Sequence, residues 1–154
     1  MITKPTHEGR FPFACVLLAL LAVAAVASCG RSKTTNLLLD KQWMVTDVTP
    51  PSGTFNVEQS NRAQDLKAGF YKGAWFKFMP DSIFVASLGG RTDTGRYHIN
   101  ATGDVISLYP AGGGRMYEQL QIQRLTLNQF VFTTVIADFH LVLHLSTENG
   151  IQQP

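Results

Sequence analysis

The sequence predicts an all-β fold: a single antiparallel, up-and-down, eight-stranded barrel behind a cleaved N-terminal leader. Three observations predict it. From Trp43 onward the apolar residues alternate with period two, as on strands with one face buried. Turn residues punctuate that pattern about every eight to twelve positions, the spacing of short strands in a sandwich or barrel. All but one of the connections are short, so successive strands pair as neighbours. A meander of this kind removes its two exposed edges by closing on itself.

The leader comes first along the chain. Lys4 and Arg10 form a positive n-region, Phe13 to Ala27 an apolar h-region, and Val26-Ala27-Ser28 sets small residues before Cys29. The apolar run is shorter than the roughly 20 residues that span a bilayer. Val26-Ala27-Ser28-Cys29 resembles a bacterial lipobox, which implies cleavage before Cys29 and acylation of its thiol and amine. Residues 1–28 are then signal peptide and the mature chain begins at Cys29. Of the 13 Lys and Arg, Lys4 and Arg10 leave; of the 11 Asp and Glu, Glu8 leaves, so the mature net charge is +1. That balance, with no basic cluster, argues against nucleic acid as a partner. It offers the membrane no polybasic patch either, so membrane contact is expected through the lipid on Cys29. Cys15 falls in the leader and Cys29 is acylated on this reading. The domain is then left without a disulfide or a thiol metal site in an oxidising compartment.

Residues 29–36 are polar and lack apolar periodicity, the pattern of a lipidated tether. Asn36-Leu37-Leu38-Leu39-Asp40 suits one helical turn. The barrel domain is expected over 37–147, with 148–154 as a C-terminal tail. Its strands are predicted at 42–49, 73–79, 82–88, 94–100, 104–110, 117–124, 129–136 and 138–146. Met79-Pro80-Asp81-Ser82 is a tight turn in which proline supplies φ. Gly89-Gly90 and Thr94-Gly95 bound a longer loop. Ala101-Thr102-Gly103-Asp104, Ala111-Gly112-Gly113-Gly114, Leu127-Asn128-Gln129 and Ile136-Ala137-Asp138 mark the remaining hairpins. The one long connection, Pro50 to Lys72, contains a breaker-poor stretch from Val57 to Ala68. A short helix there would have Gly69 as its C′ residue.

Strand parity identifies the inner face. It places Phe76, Phe78, Phe84, Ala86, Leu88, Tyr97, Ile99, Ile106, Leu108, Leu120, Ile122, Phe130 and Phe132 inside. Phe139, Leu141, Leu143 and Leu145 complete the set. The phase slips after Ile122, which a bulge at Gln123-Arg124 would produce. An eight-stranded barrel is just wide enough to be filled by side chains or to hold one small ligand. Both readings are open at this point.

No residue pattern points to catalysis, a metal or a cofactor. His140 and His144 sit about 13 Å apart on a strand, too far to share a zinc whose nitrogen ligands lie about 2 Å from the ion. His98 faces outward. Asp138 and His140 share a face, yet no serine occupies a nucleophile elbow and no cysteine is available. Asp81, Asp93, Asp104 and Glu118 fall in or near turns without the pairing of glycosidase carboxylates. Gly112-Gly113-Gly114-Arg115 lacks the Lys-Ser/Thr end of a phosphate loop and reads as a hairpin turn. Arg91, Arg96 and Arg115, in or beside loops, serve solubility, or one of them pairs with the carboxylate of an anionic amphiphile at the mouth.

Leu39-Asp40-Lys41-Gln42-Trp43, Trp75-Phe76-Lys77-Phe78-Met79-Pro80-Asp81, Thr94-Gly95-Arg96-Tyr97 and Leu125-Thr126-Leu127 resemble the lipocalin-like domains of envelope lipoproteins of Bacteroidota. The resemblance runs from Leu37 to Leu145. It departs from lipocalins proper in two places: Lys41 stands where Gly-x-Trp has its glycine, and the last strand lacks the arginine that stacks on that tryptophan. The resemblance implies a calycin-type barrel that binds a small hydrophobic or amphipathic molecule. Trp43, Phe76, Phe78, Phe84, Tyr97, Phe130 and Phe132 would line the interior, with Pro50 to Lys72 as lid. The alternative is a packed barrel acting as a structural or protein-interaction module, with an envelope protein as partner. Asp81-Ser82-Ile83 is similar to the short O-glycosylation pattern of that phylum. Gly30 and the absence of acids after Cys29 point to an outer-membrane anchor facing the periplasm.

Overall fold

Eight strands carry the fold: β1 (Gln42–Thr49), β2 (Trp75–Met79), β3 (Ile83–Leu88), β4 (Arg91–Ile99), β5 (Val105–Pro110), β6 (Glu118–Leu125), β7 (Gln129–Ile136) and β8 (Phe139–Ser146). The computed structural model describes residues 30–53, 56–136 and 138–147. Residues 1–28, expected to be a signal peptide, Cys29 and the expected tail 148–154 lie outside the described residues. Each strand pairs antiparallel with its successor, and β1 also pairs with β8 from Met44↔Ser146 to Thr49↔Val142. The sheet is therefore a closed eight-stranded barrel.

The inner face follows the predicted parity. Phe76, Phe78, Phe84, Ala86, Tyr97, Ile99, Ile106, Leu108, Leu120, Phe130, Phe132, Leu141, Leu143 and Leu145 are all buried in one core. The β6–β7 register shifts between Ile122 and Arg124, the site of the expected bulge. A second shift, between Val45 and Asp47 on β1, keeps Val48 on the inner face opposite Leu143.

The connection between β3 and β4 is shorter than the sequence suggests. Gly89 (φ 57°) and Gly90 (φ 76°) make a two-residue hairpin, and β4 starts directly at Arg91. Two successive left-handed residues match the strand twist of a type I′ turn, and glycine adopts them without strain. Arg96, expected in or beside a loop, accordingly lies within β4 opposite Tyr109. Gly95 is a strand residue as well. A Cβ there would sit 2.4 Å from the Phe84 ring and 2.4 Å from the Tyr109 carbonyl oxygen, so Phe84 packs where a side chain would have been.

Among the described residues two α-helices sit at opposite ends of the barrel. Residues 30–38 form α1, although 30–36 has the composition of a tether. The docking is tertiary. Thr34 is buried and its Oγ1 donates to the Gly103 carbonyl at 2.7 Å, Arg31 Nε donates to the Ile99 carbonyl at 2.8 Å, and Leu38 has no exposed surface. Leu39 then bridges to Phe78. At the other end, α2 (Val57–Ala68) is capped by Asn56, whose side chain accepts from the Glu58 and Gln59 amides. Asn, Ser, Thr and Asp hold this position because their oxygen satisfies an otherwise unpaired N–H. Gly69 ends the helix as expected, but at φ −106° rather than in the left-handed region, with its N–H on the Asp65 carbonyl. Ala63 is buried and Leu66 packs against the core. Gln59 Nε2 donates to the His140 carbonyl and Lys67 pairs with Asp47 at 2.8 Å.

Candidate ligand site

The seven aromatic residues expected to line a ligand cavity all point into the barrel, where six of them pack ring against ring and Phe84 meets Tyr117 instead. Their exposures run from 0 % (Trp43, Phe78, Phe130) to 6 % (Tyr97). Trp43 meets Phe130 edge-on at 5.6 Å between ring centroids, Phe78 meets Tyr97 at 5.2 Å and Phe130 at 6.1 Å, and Phe76 meets Phe132 at 6.0 Å. Phe130 and Phe132 lie 4.9 Å apart. These separations are those of favourable edge-to-face and tilted ring pairs, each contributing about 0.5–1.5 kcal/mol beyond area burial. At this level of the barrel, ring meets ring where a ligand would have to lie. Tyr97 also finds a polar partner, its hydroxyl donating to the Met79 carbonyl at 3.1 Å.

At the α1 end Trp43 donates through Nε1 to the Leu38 carbonyl at 3.2 Å. The ammonium of Lys41 stands 5.5 Å from the ring centroid of Trp43. It also donates to the carbonyls of Leu37 and Leu127. A cation placed over an indole face is attracted by the ring quadrupole. Lys41, the residue before β1, thus brings a cation to the Trp43 ring.

The α2 end holds the group that sequence reasoning passed over. Glu118 has the same parity as Leu120 and Ile122, so its carboxylate turns to the inner face at the barrel rim, where it accepts a hydrogen bond from Thr134 Oγ1. Tyr71, brought back over this end by the chain leaving α2, is buried nearby. Burial raises the Glu118 carboxyl above its ordinary range, and the Thr134 bond offsets that only in part. Burial likewise raises the Tyr71 hydroxyl, and the Glu118 charge adds to the effect. The Tyr117 hydroxyl is pushed up to about 12, by burial first and then by Asp93 and Glu118. The signal was present in the sequence, as an acid in phase with an apolar strand face. Beside Glu118 an open groove of about 510 Å³ is lined by Met116, Tyr117, Val135, Thr134 and His140 among others.

A raised carboxyl pKa makes the folded protein bind the Glu118 proton more tightly than the unfolded chain does. The resulting stability is present at low pH and is lost as pH rises through the folded-state value. Glu118→Gln keeps an acceptor for Thr134 and removes the ionised form. Its melting temperature at pH 7 is expected to rise by about 2–4 °C, with the gap to the wild type narrowing at pH 4. Thermal unfolding at the two pH values checks this, and an equal loss at both would refute the assignment.

The remaining candidates stay apart. His140 is exposed, while His144 is half-buried with Nε2 3.1 Å from Thr49 Oγ1. Among the described residues no three His, Cys, Asp or Glu side chains are grouped to hold a metal ion. Asp104 accepts from Asn100 and Thr102, which hold its carboxyl below the usual range while it stays in solvent. Asp81 lies exposed in the 3-10 turn Pro80–Ser82, and Arg91, Arg96 and Arg115 are exposed. Compared with protein-family models and with curated proteins, the chain finds no match.

Proposed function

We propose that this chain is a lipid-anchored lipoprotein of the bacterial cell envelope. Its lipocalin-like barrel would serve as a packed interaction module, meeting its partner through its outer surface and ends. The observation that carries this reading is the set of inward aromatics: Trp43, Phe76, Phe78, Phe84, Tyr97, Phe130 and Phe132 are 0–6 % exposed, and all but Phe84 meet another of the set edge-on or tilted. The envelope assignment, on the outer membrane facing the periplasm, rests on Val26-Ala27-Ser28-Cys29 and the leader before it. Membrane attachment is through the lipid on Cys29.

A second reading has its own support. The groove beside Glu118 combines apolar Met116, Tyr117 and Val135 with a half-buried carboxylate, a combination suited to a small amphipathic molecule at the rim. Organic extraction of the native protein followed by mass spectrometry separates the two. The packed-module reading expects no small molecule at stoichiometric level, together with a reproducible partner on cross-linking in whole cells. A stoichiometric ligand would overturn it in favour of the rim site.

A further inference from the structure

We infer that the lipid anchor has no slack: the α1 end of the barrel is a bilayer-facing surface, and its partner there is the phospholipid headgroup layer. The inference rests on the reading of Cys29 as the acylated residue. It adds the orientation, which the tether expected from composition would have left free.

The first nine residues after Cys29 are committed to the barrel. Gly30 lies so close to the β4–β5 turn that a Cβ on it would sit 2.2 Å from the Thr102 carbonyl oxygen. A Cβ on Gly103 would sit 2.4 Å from the Gly30 oxygen. Backbone therefore touches backbone at the first residue after the acylation point. Arg31 adds a second contact on β4, its Nη2 3.1 Å from His98 Nε2. Arginine has no acceptor, so this nitrogen of His98 accepts. The buried Thr34–Gly103 bond and the fully buried Leu38 complete the dock.

The consequence is one of reach. A flexible tether of ten residues would let the domain wander about 17 Å from its anchor. One peptide unit allows about 3.8 Å. Acyl chains inserted in the membrane at that distance hold the α1 end against the headgroups. The turns at this end are Pro80–Ser82, Asn100–Asp104 and Thr126–Asn128. Leu127, at the tip of the last, is 66 % exposed. A leucine so placed can enter the boundary between headgroups and acyl chains. Among the described residues the other exposed large apolar side chains, Tyr117 and Val135 among them, belong to the α2 end, and this orientation points them away from the bilayer.

The test uses the full chain, purified in its processed form and reconstituted in vesicles of phosphatidylethanolamine and phosphatidylglycerol. Intact mass first reports whether Cys29 carries diacylglyceryl and acyl groups; its absence overturns the anchor reading and the inference with it. Leu127→Cys and Val135→Cys, each labelled with an environment-sensitive fluorophore, are then quenched by headgroup nitroxide lipids. In acylated protein, quenching at 127 is expected to exceed that at 135 by at least about threefold. Inserting twelve Gly/Ser residues between Cys29 and Gly30 should bring the two within about 1.5-fold. Equal or reversed quenching in acylated protein without the insert would overturn the orientation and leave the anchor reading standing. A ratio unchanged by the insert would show that the anchor does not set it, and would also overturn the inference.

Discussion

Phe130→Ala is expected to lower stability by about 3–5 kcal/mol, because it removes a ring with no exposed surface that touches Trp43, Phe78 and Phe132. For a domain of this size that is a fall in melting temperature of roughly 10–20 °C. The cost has two parts. The transfer free energy of the ring is lost, and the surrounding barrel wall cannot collapse into the space because its strands are hydrogen-bonded into a closed circuit. The variant should therefore retain a dry, apolar void and gain affinity for a benzene-sized molecule relative to the wild type. Denaturant unfolding gives the first quantity, and thermal shift with and without saturating benzene gives the second. A loss below about 1 kcal/mol would mean that the ring is not the centre of the core.

Gly95→Val is expected to cost about 2–4 kcal/mol through a different mechanism, overpacking against groups that cannot move away. A Cβ at this position meets the Phe84 ring at 2.4 Å and the Tyr109 carbonyl oxygen at 2.4 Å. The ring is itself 2 % exposed, so it could turn only against other buried side chains. The oxygen belongs to β5, which pairs with β4 on that side. Gly90→Ala makes a useful contrast. A Cβ there meets nothing within 4 Å, but φ is +76°, so its cost is backbone strain alone, about 1 kcal/mol. Urea melts of the two variants should rank Gly95→Val well below Gly90→Ala. The reverse order would show that the close approach of Phe84 to β4 is relieved in solution.

Much of the barrel could be read along the chain because strand parity is a local property. Phe139, Leu141, Leu143 and Leu145 alternate with His140 and His144, and no distant residue is needed to decide which side each one takes. The slip between Ile122 and Leu125 marked a bulge by the same logic. The breaker-poor run before Gly69 marked α2, whose Asn56 cap was not among the expectations. The Gly89-Gly90 hairpin was misjudged where its chemistry was plain: two adjacent glycines between apolar strands are a type I′ signal in their own right.

Other features had no local signature. Residues 30–36 carry no apolar stripe and, beyond Arg31 and Lys33, no strong helix formers, and their helix exists because the β4–β5 turn and the floor under Trp43 offer partners to Arg31, Thr34 and Leu38. Lys41 looks like a departure from a glycine until it is seen over the indole. Glu118 lay in phase with an apolar face, yet its raised pKa comes from burial in the folded barrel, which the Thr134 bond only partly offsets.

From the sequence by itself come the class of fold, the number of strands and the inward set. Each of these is written in residues close together along the chain. Whether the inward rings leave a hole, whether the first helix docks, and how far a carboxylate is stripped of water were decided only in three dimensions. Packed volume and desolvation are sums over groups far apart in sequence, and no window along the chain contains their terms.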